Sequence, residues 1–581
     1  MHNKNRCETL SLKTILTAII IVGLTPGSAL GLITTTGAYF PFYQIGPGDA
    51  DLGTDDLAVG NFSIGSLIAT DATLSVSDLQ VARGGSTGEL ILNNSTLNVT
   101  NADGNDGISL EIGNWGHGVM RVLSGSIVNA TFAGSDCNSF GACMTLITDA
   151  AGSSGHLEIS GVGSRFEASE FLMGWASVFT TALDGFDFGT PGATSFASLL
   201  INDSGSLNAE TVTLGGLVAC CNGSSTGGER AVSSAGVTGN GTIQTGTLTL
   251  GVAHQTQATL TISAGGAVTV DTTNDVGDAH ITIDSGGVMT QNQLRIAVAE
   301  LDHVGSATVK GAGSELNFTG DDSFVSVGGA GSGHLEIRDG AKLNDALHLT
   351  AGFFDEGGAS VVVDGVGTEV NLTGVCVDCA NLSAAPGSGA SLIVGLGGIA
   401  AMNISGRAKV NIDGTGATSR HGLLVGAVGP GLNGGFGFGN GTLVIEGGGT
   451  EVNLSGPQAA VDIGVFGGSG NVVVADGAKV LLPAGTGETN VGGNNGNGAL
   501  TVSGAGSLFD AGASFVGGNQ DNTIGGLAFI LIELGGELRA DTITLNQGFD
   551  SNRNWRDVNW QCNNQWHFAA GKLPWGTHRR R

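Results

Sequence analysis

GTLVIEGGGTEV, residues Gly441–Val452, is followed closely by GNVVVADGAKV at Gly470–Val480 and GALTVSGAGSLF at Gly498–Phe509, and GHLEIRDGAKL at Gly333–Leu343 is built alike. Each stretch has a small residue, a Leu-x-Ile-like alternation, a glycine-rich corner and a further apolar residue. Period-two alternation predicts strands with one buried face. The glycines supply corners that need positive φ or close backbone approach. Working outward, the same pattern recurs in GELILNNSTLNV from Gly88, GHLEISGVGSRF from Gly155, ASLLINDSGSLN from Ala197 and ATLTISAGGAVTV from Ala258.

From Ala307 onward two lengths of the unit alternate. ATVKGAGSEL (307–316), VVVDGVGTEV (361–370), LVIEGGGTEV (443–452) and LTVSGAGSLF (500–509) span ten residues. LEIRDGAKL (335–343), MNISGRAKV (402–410), VVVADGAKV (472–480) and ILIELGGEL (530–538) span nine. One added corner residue shifts the phase of the alternation, so the natural unit is a pair of rungs, about 55–60 residues, with two kinds of turn. Starts at 443, 472, 500 and 530 leave room for three short strands and three turns per coil. The fold expected is all-β: a parallel β-helix whose rungs bury their apolar rows collectively. A β-propeller or a string of β-sandwiches is the alternative; a propeller prefers a more even period. Residues 30–85 diverge from the repeat and read as an N-terminal cap with divergent first coils, residues 86–547 as the repeat body.

Composition agrees. Of 581 residues, 103 are glycine and only 9 proline, and 41% are hydrophobic, too many for a disordered chain. The net charge of -29 argues against a nucleic-acid partner, because an acidic surface repels phosphate. Residues 1–29 read as a secretory signal peptide: Lys4, Arg6 and Lys13 precede the apolar run Ile15–Leu24, and Gly27-Ser28-Ala29 offers a cleavage site. An uncleaved anchor is the alternative, and no later segment is a candidate membrane span.

Export makes disulfides available. Cys137/Cys143, Cys220/Cys221 and Cys376/Cys379 lie in loop-like insertions and read as local staples. Adjacent Cys220 and Cys221 pair with each other only through a strained ring, so they stay reduced or pair elsewhere. The Cys376-x-x-Cys379 spacing also occurs in redox and zinc sites, but a second ligand pair and a helix are missing. Asp49, Asp51, Asp55 and Asp56 crowd one stretch and are the calcium candidates, against the plainer reading of a solvated acidic loop; the spacing matches neither an EF-hand nor a calcium-binding β-roll. No other metal or cofactor is expected. Catalysis would need clustered carboxylates or calcium-supported bases. Asp321, Asp322, Asp339, Asp364 and Asp476 fall at separate corners instead, and His117, His156 and His334 sit at or beside strand starts. No phosphate loop or nucleophile elbow stands out. No catalytic residue is assigned, and a polysaccharide lyase or glycosidase remains the rival class.

The paired G-x-L-x-I-x-x-G-x-x-L units, the LGVA and VGG links and the signal peptide resemble the repeats of bacterial autotransporter (type V secretion) passengers, and of PEP-CTERM-associated proteins, over residues 86–547. The resemblance implies an exported, surface-associated or secreted adhesin-like protein of a Gram-negative bacterium. Its partners would be secretion machinery and a surface, glycan or matrix ligand of unknown identity.

Residues 548–581 depart from this pattern. Four of six tryptophans (Trp555, Trp560, Trp566, Trp575) but only two glycines (Gly571, Gly576) lie in NWRDVNWQCNNQWHFAAGKLPWGTHRRR. Tryptophan's single codon, TGG, read one nucleotide later always gives glycine, and permitted codons for this tail shift to Gly-Thr-Leu-rich strands like the body. A frame change near Gly548 is therefore expected; the alternative is a genuine Trp-rich cap or binding tail.

Overall fold

The computed structural model describes residues 32–37, 39–40, 50–52, 56–100, 108–113, 115–131, 144–148, 151–174, 179–180, 187–188, 193–215, 230–251, 256–297, 303–354, 357–375, 389–430, 436–518, 526–546 and 560–568. These residues form strands joined by turns and bends, with no helix. One coil shows the plan. Ser332–Arg338 makes a first face, Lys342–Ala346 a second and His348–Ala351 a third. The chain then returns, and Gly358–Asp364 lies parallel on Ser332–Arg338 with Leu335 opposite Val361. The row continues through Met402, Leu443, Val472, Leu500 and Ile530. This is a parallel β-helix, as the repeat predicts. Segments of very different length separate these strands, yet the register holds, because a one-residue slip would turn every inward side chain outward.

The first face is a 17-stranded sheet, and the second and third together form a 31-stranded one. The two faces merge because several middle coils run around the corner as one bent strand: Arg165–Met173, Ser206–Leu214, Thr242–Leu250, Ala267–Val276 and Val288–Ile296. Alternation sends Leu335, Ile337, Leu343 and Leu349 fully inside. A single apolar cluster extends from Ile33 to Ile543. Each such side chain contributes about 1.5–3 kcal/mol on burial, but only once the next coil covers it. Where the third face returns to the first, two backbones touch: Gly328 sits at φ +66°, and a Cβ on it or on Gly333 would overlap neighbouring backbone.

The two repeat lengths become two corners. Nine-residue units turn through two consecutive left-handed residues, such as Asp339 (φ 57°) and Gly340 (φ 85°), or Asp476 (φ 54°) and Gly477 (φ 86°). Ten-residue units use Gly-x-Gly, such as Gly365 (φ 104°) and Gly367 (φ 82°), or Gly504 (φ 90°) and Gly506 (φ 85°). The extra residue is absorbed within the corner, so the apolar residue after it still points inward. A hydroxyl in each long corner then completes the short corner before it. Thr368 Oγ1 accepts from Gly340 N–H at 2.9 Å and donates to the Asp364 carbonyl at 2.7 Å. Ser314, Thr450 and Ser507 accept likewise from Gly286, Arg407 and Gly477 at 3.1, 3.0 and 2.9 Å. Short-then-long is thus a physical pair, each supplying what the other's backbone lacks.

At the N-terminal end the parallel stack stops at antiparallel pairings: Leu32–Gly37 against Gly65–Thr70, and Tyr39 opposite Val59. Leu57–Asn61 already stacks in parallel on Leu79–Arg83. At the other end Trp560–Phe568 pairs with Glu537–Leu545. The first-face strand of that last coil, Leu527–Glu533, pairs on one side only among the described residues, and its inward Ile530 is partly exposed where Leu500 is fully buried.

Candidate binding surface

Stacking in register converts scattered polar residues into rows. On the second face the residue before the inward apolar one reads Glu315, Lys342, Glu369, Lys409, Glu451 and Lys479 in successive coils. Lysine stands in every short unit of this run and glutamate in every long one. Lys342 meets Glu369 at 2.9 Å and Lys409 meets Glu451 at 3.6 Å. Two residues on, a second outward row carries Asn317, Asn344, Asn371, Asn411 and Asn453. Asn317 donates to Glu315 at 3.2 Å, and from there each side-chain amide donates to the asparagine before it: Asn344 to Asn317 at 2.9 Å, Asn371 to Asn344 at 2.9 Å, Asn411 to Asn371 at 2.8 Å and Asn453 to Asn411 at 3.0 Å. The row starts far earlier, with Asn129 donating to Asn98 at 2.8 Å. The flank is therefore a flat, ordered polar strip, its rungs spaced about 4.8 Å apart. The signal was legible in AKL, TEV and AKV within the repeats, but its meaning depends on which unit lies on which.

The third face differs. Its strands Ser391–Leu396 and Ala459–Val465 are buried on both sides. Ile393, Leu396, Leu424, Ala427 and Val465 form a separate cluster outside the core, with Phe353 against it. Charged groups are drawn into this layer. Arg420 holds buried Asp462 at 2.7 Å and half-exposed Glu488 at 3.0 Å, while Asn490 donates to Asp462 at 2.9 Å. Burial pushes the Asp462 carboxyl up, and Arg420 and these hydrogen bonds oppose that shift. His348 lies buried in the same layer with neither ring nitrogen hydrogen-bonded, and burial pulls its pKa down to about 4.

On the first face, histidines and serines stack in neighbouring coils. His117 and Ser154 lie 2.8 Å apart, His156 and Ser198 2.8 Å, and His280 and Ser306 2.7 Å, while His334 sits in register between Ser306 and Ser360. Burial lowers the pKa of His156 and His280. Arg121 bridges Glu89 and Glu158 at 2.6 and 3.3 Å. Repetition along the stack marks these pairs as rungs of a ladder.

The residues singled out from sequence fall as follows. Cys137, Cys143, Cys220, Cys221, Cys376 and Cys379 lie outside the described residues, as do Asp49, Asp55 and residues 1–29. Asp51 ends a two-residue strand beside Ser75, and Asp56 immediately precedes the strand Leu57–Asn61. Asp339 and Asp476 occupy left-handed corner positions, a conformation that favours Asp and Asn among non-glycine residues. Asp364 accepts from Ser405 at 2.7 Å, and Asp322 from Asn292 at 3.1 Å. Among the described residues no three His, Cys, Asp or Glu side chains converge as metal ligands, and no helix is long and apolar enough to cross a membrane.

No family model matches the chain, and neither does any curated protein. Among solved structures, the crystal structure of a TibC-catalyzed hyper-glycosylated TibA55-350 fragment is similar over 78% of this chain and 99% of that one, at 13% identity and a TM-score of 0.22. A likeness of that strength carries no argument about function.

Proposed function

We propose that this protein is an exported, surface-associated or secreted adhesin-like structural protein that works by presenting its flank rather than by catalysis. The observation that carries the reading is the second face. Over successive coils it displays aligned Lys, Glu and Asn side chains that take no part in the core, on a rigid stack. Such a surface suits recognition of an extended ligand, a glycan or matrix polymer. The acidic residues that would serve a lyase or glycosidase are engaged at corners: Asp339 and Asp476 as turn residues, Asp364 with Ser405. The repeat's resemblance to passenger sequences and the leader-like residues 1–29 supply the export half of the reading.

Two measurements test it. Expressed in full in a Gram-negative host, the chain is expected outside the cytoplasm with a mature N-terminus just after Ala29. Full-length precursor retained in the cytoplasm would overturn export. On a glycan and matrix-protein panel the purified chain is expected to retain a ligand without altering it; release of unsaturated sugars from a polysaccharide would replace this reading with the lyase.

A further inference from the structure

We infer that the coil built on Ala267–Val276 encloses one ordered water molecule inside its bent corner, held between Asn274 and Gln291. Among the described residues these are the only buried carboxamides, and both are completely covered. Alternation along their strands turns both into the core. Asn274 lies in register between Leu248 and Leu294, and Gln291 between Val270 and Phe318, so hydrocarbon flanks each amide. Asn274 Nδ2 donates to Gln291 Oε1 at 3.0 Å. Asn274 Oδ1 is then left without a donor and Gln291 Nε2 without an acceptor. Turning both amides over changes which atoms remain but again leaves one acceptor and one donor. Thr245, the inward hydroxyl of the coil before, does not supply the missing hydrogen. It donates to the Thr247 and Glu210 carbonyls at 2.9 and 3.3 Å.

The same corner is wider than its neighbours. Ten residues make this bent strand, against nine in Thr242–Leu250 before it and nine in Val288–Ile296 after it. The register locates the insertion, because Asp271 and Thr272 together stand against Asn292 alone. Both are exposed, and Thr272 Oγ1 donates to the Gly246 carbonyl at 2.7 Å. The extra residue therefore bulges outward and lengthens the perimeter of this coil by about 3.3 Å. Narrower coils close it on both sides, so the added room lies inside the corner, at the level of the two amides. A buried amide left unpaired is costly, and a water molecule that accepts from one group and donates to the other removes that cost. The remainder fits water rather than an ion. A metal cation takes several oxygen ligands, and the pair offers one free oxygen beside an N–H group.

Both residues are wholly covered, so this water leaves only when the coils open locally, and it is long-lived. Two measurements on the full-length chain test it. A crystal structure of the wild type is expected to show one density peak within about 3 Å of both amides. Magnetic relaxation dispersion of solvent water counts long-lived internal waters. It is expected to give one fewer for Asn274→Leu/Gln291→Met than for the wild type. That variant replaces both amides with hydrocarbon of similar volume, and circular dichroism first verifies its β content. Should the variant not fold, the wild-type map decides alone. Equal counts in the two proteins, or a map in which the amides bond directly to backbone with no peak between them, would overturn the water site.

Discussion

One outward row of the third face crosses two environments. It passes through Thr213, Thr249, Asp275, Arg295, Ser326, Thr350, Ile393, Leu424, Asp462 and Asn490 in consecutive register. In the middle coils these positions are half-exposed and polar, and Asp275 pairs with Arg295 at 3.1 Å. From Ser326 to Asp462 they are buried. The inward side is alike in both regions. What differs is local sequence: TVTL alternates, whereas SLIVGL is apolar on both sides, as strands covered on two faces are. The same coil thus serves either as a wall half-exposed on its outer side or as one buried on both sides. Where it is covered, polar residues survive only with a partner, as Asp462 does, or uncharged, as His348 does.

The sharpest way to break this contrast is one substitution in each region. Ile393→Asp buries an unpaired charge and should cost about 4 kcal/mol or more, whereas Thr213→Asp in the same row, whose register neighbours Leu172 and Thr249 are uncharged, should stay within about 0.5 kcal/mol. Hydrogen exchange of the flanking strands reads both locally, which matters because a solenoid opens in parts. Arg420→Ala comes next. It strands the buried Asp462 and should cost about 3 kcal/mol, most of it recovered in Arg420→Met/Asp462→Leu. Equal losses in the single and double variants would show that packing rather than charge holds the layer.

The third test is pH. The folded-state pKa of His348, about 4, lies below the ordinary value of 6.5. Between those values the unfolded chain binds a proton that the folded chain refuses. Stability is therefore intact above about pH 6.5 and falls as pH drops toward 4, by about 2 kcal/mol from pH 7 to pH 5. His348→Leu should flatten that slope in urea titrations at the two pH values; an unchanged slope would remove His348 as its source. The smallest effect belongs to the corners. Thr368→Val leaves the Gly340 N–H without its acceptor and should cost about 1 kcal/mol, seen as faster exchange at Gly340, while Thr368→Ser restores protection.

Much of the fold was legible in the chain because its cause is local. Leu-x-Ile alternation can bury only one side of a strand, and paired left-handed residues or Gly-x-Gly can only turn it. The nine/ten alternation even anticipated two corners, although the hydroxyl that joins them did not show. The surface was less legible. Lys342 and Glu369 are ordinary solvated charges until one lies on the other, and His348 gives no sign in sequence that it is buried on the outer side of its sheet.

The sequence by itself determined a parallel stack of glycine-cornered coils with an apolar interior, since period and turn chemistry act over a few residues. Only the tertiary structure decided which residues stand in line. Met402 lies on Val361 and Leu443 on Met402 across intervening segments of other lengths. That alignment comes from burying each apolar row against the next coil, a long-range energy that spacing along the chain does not encode.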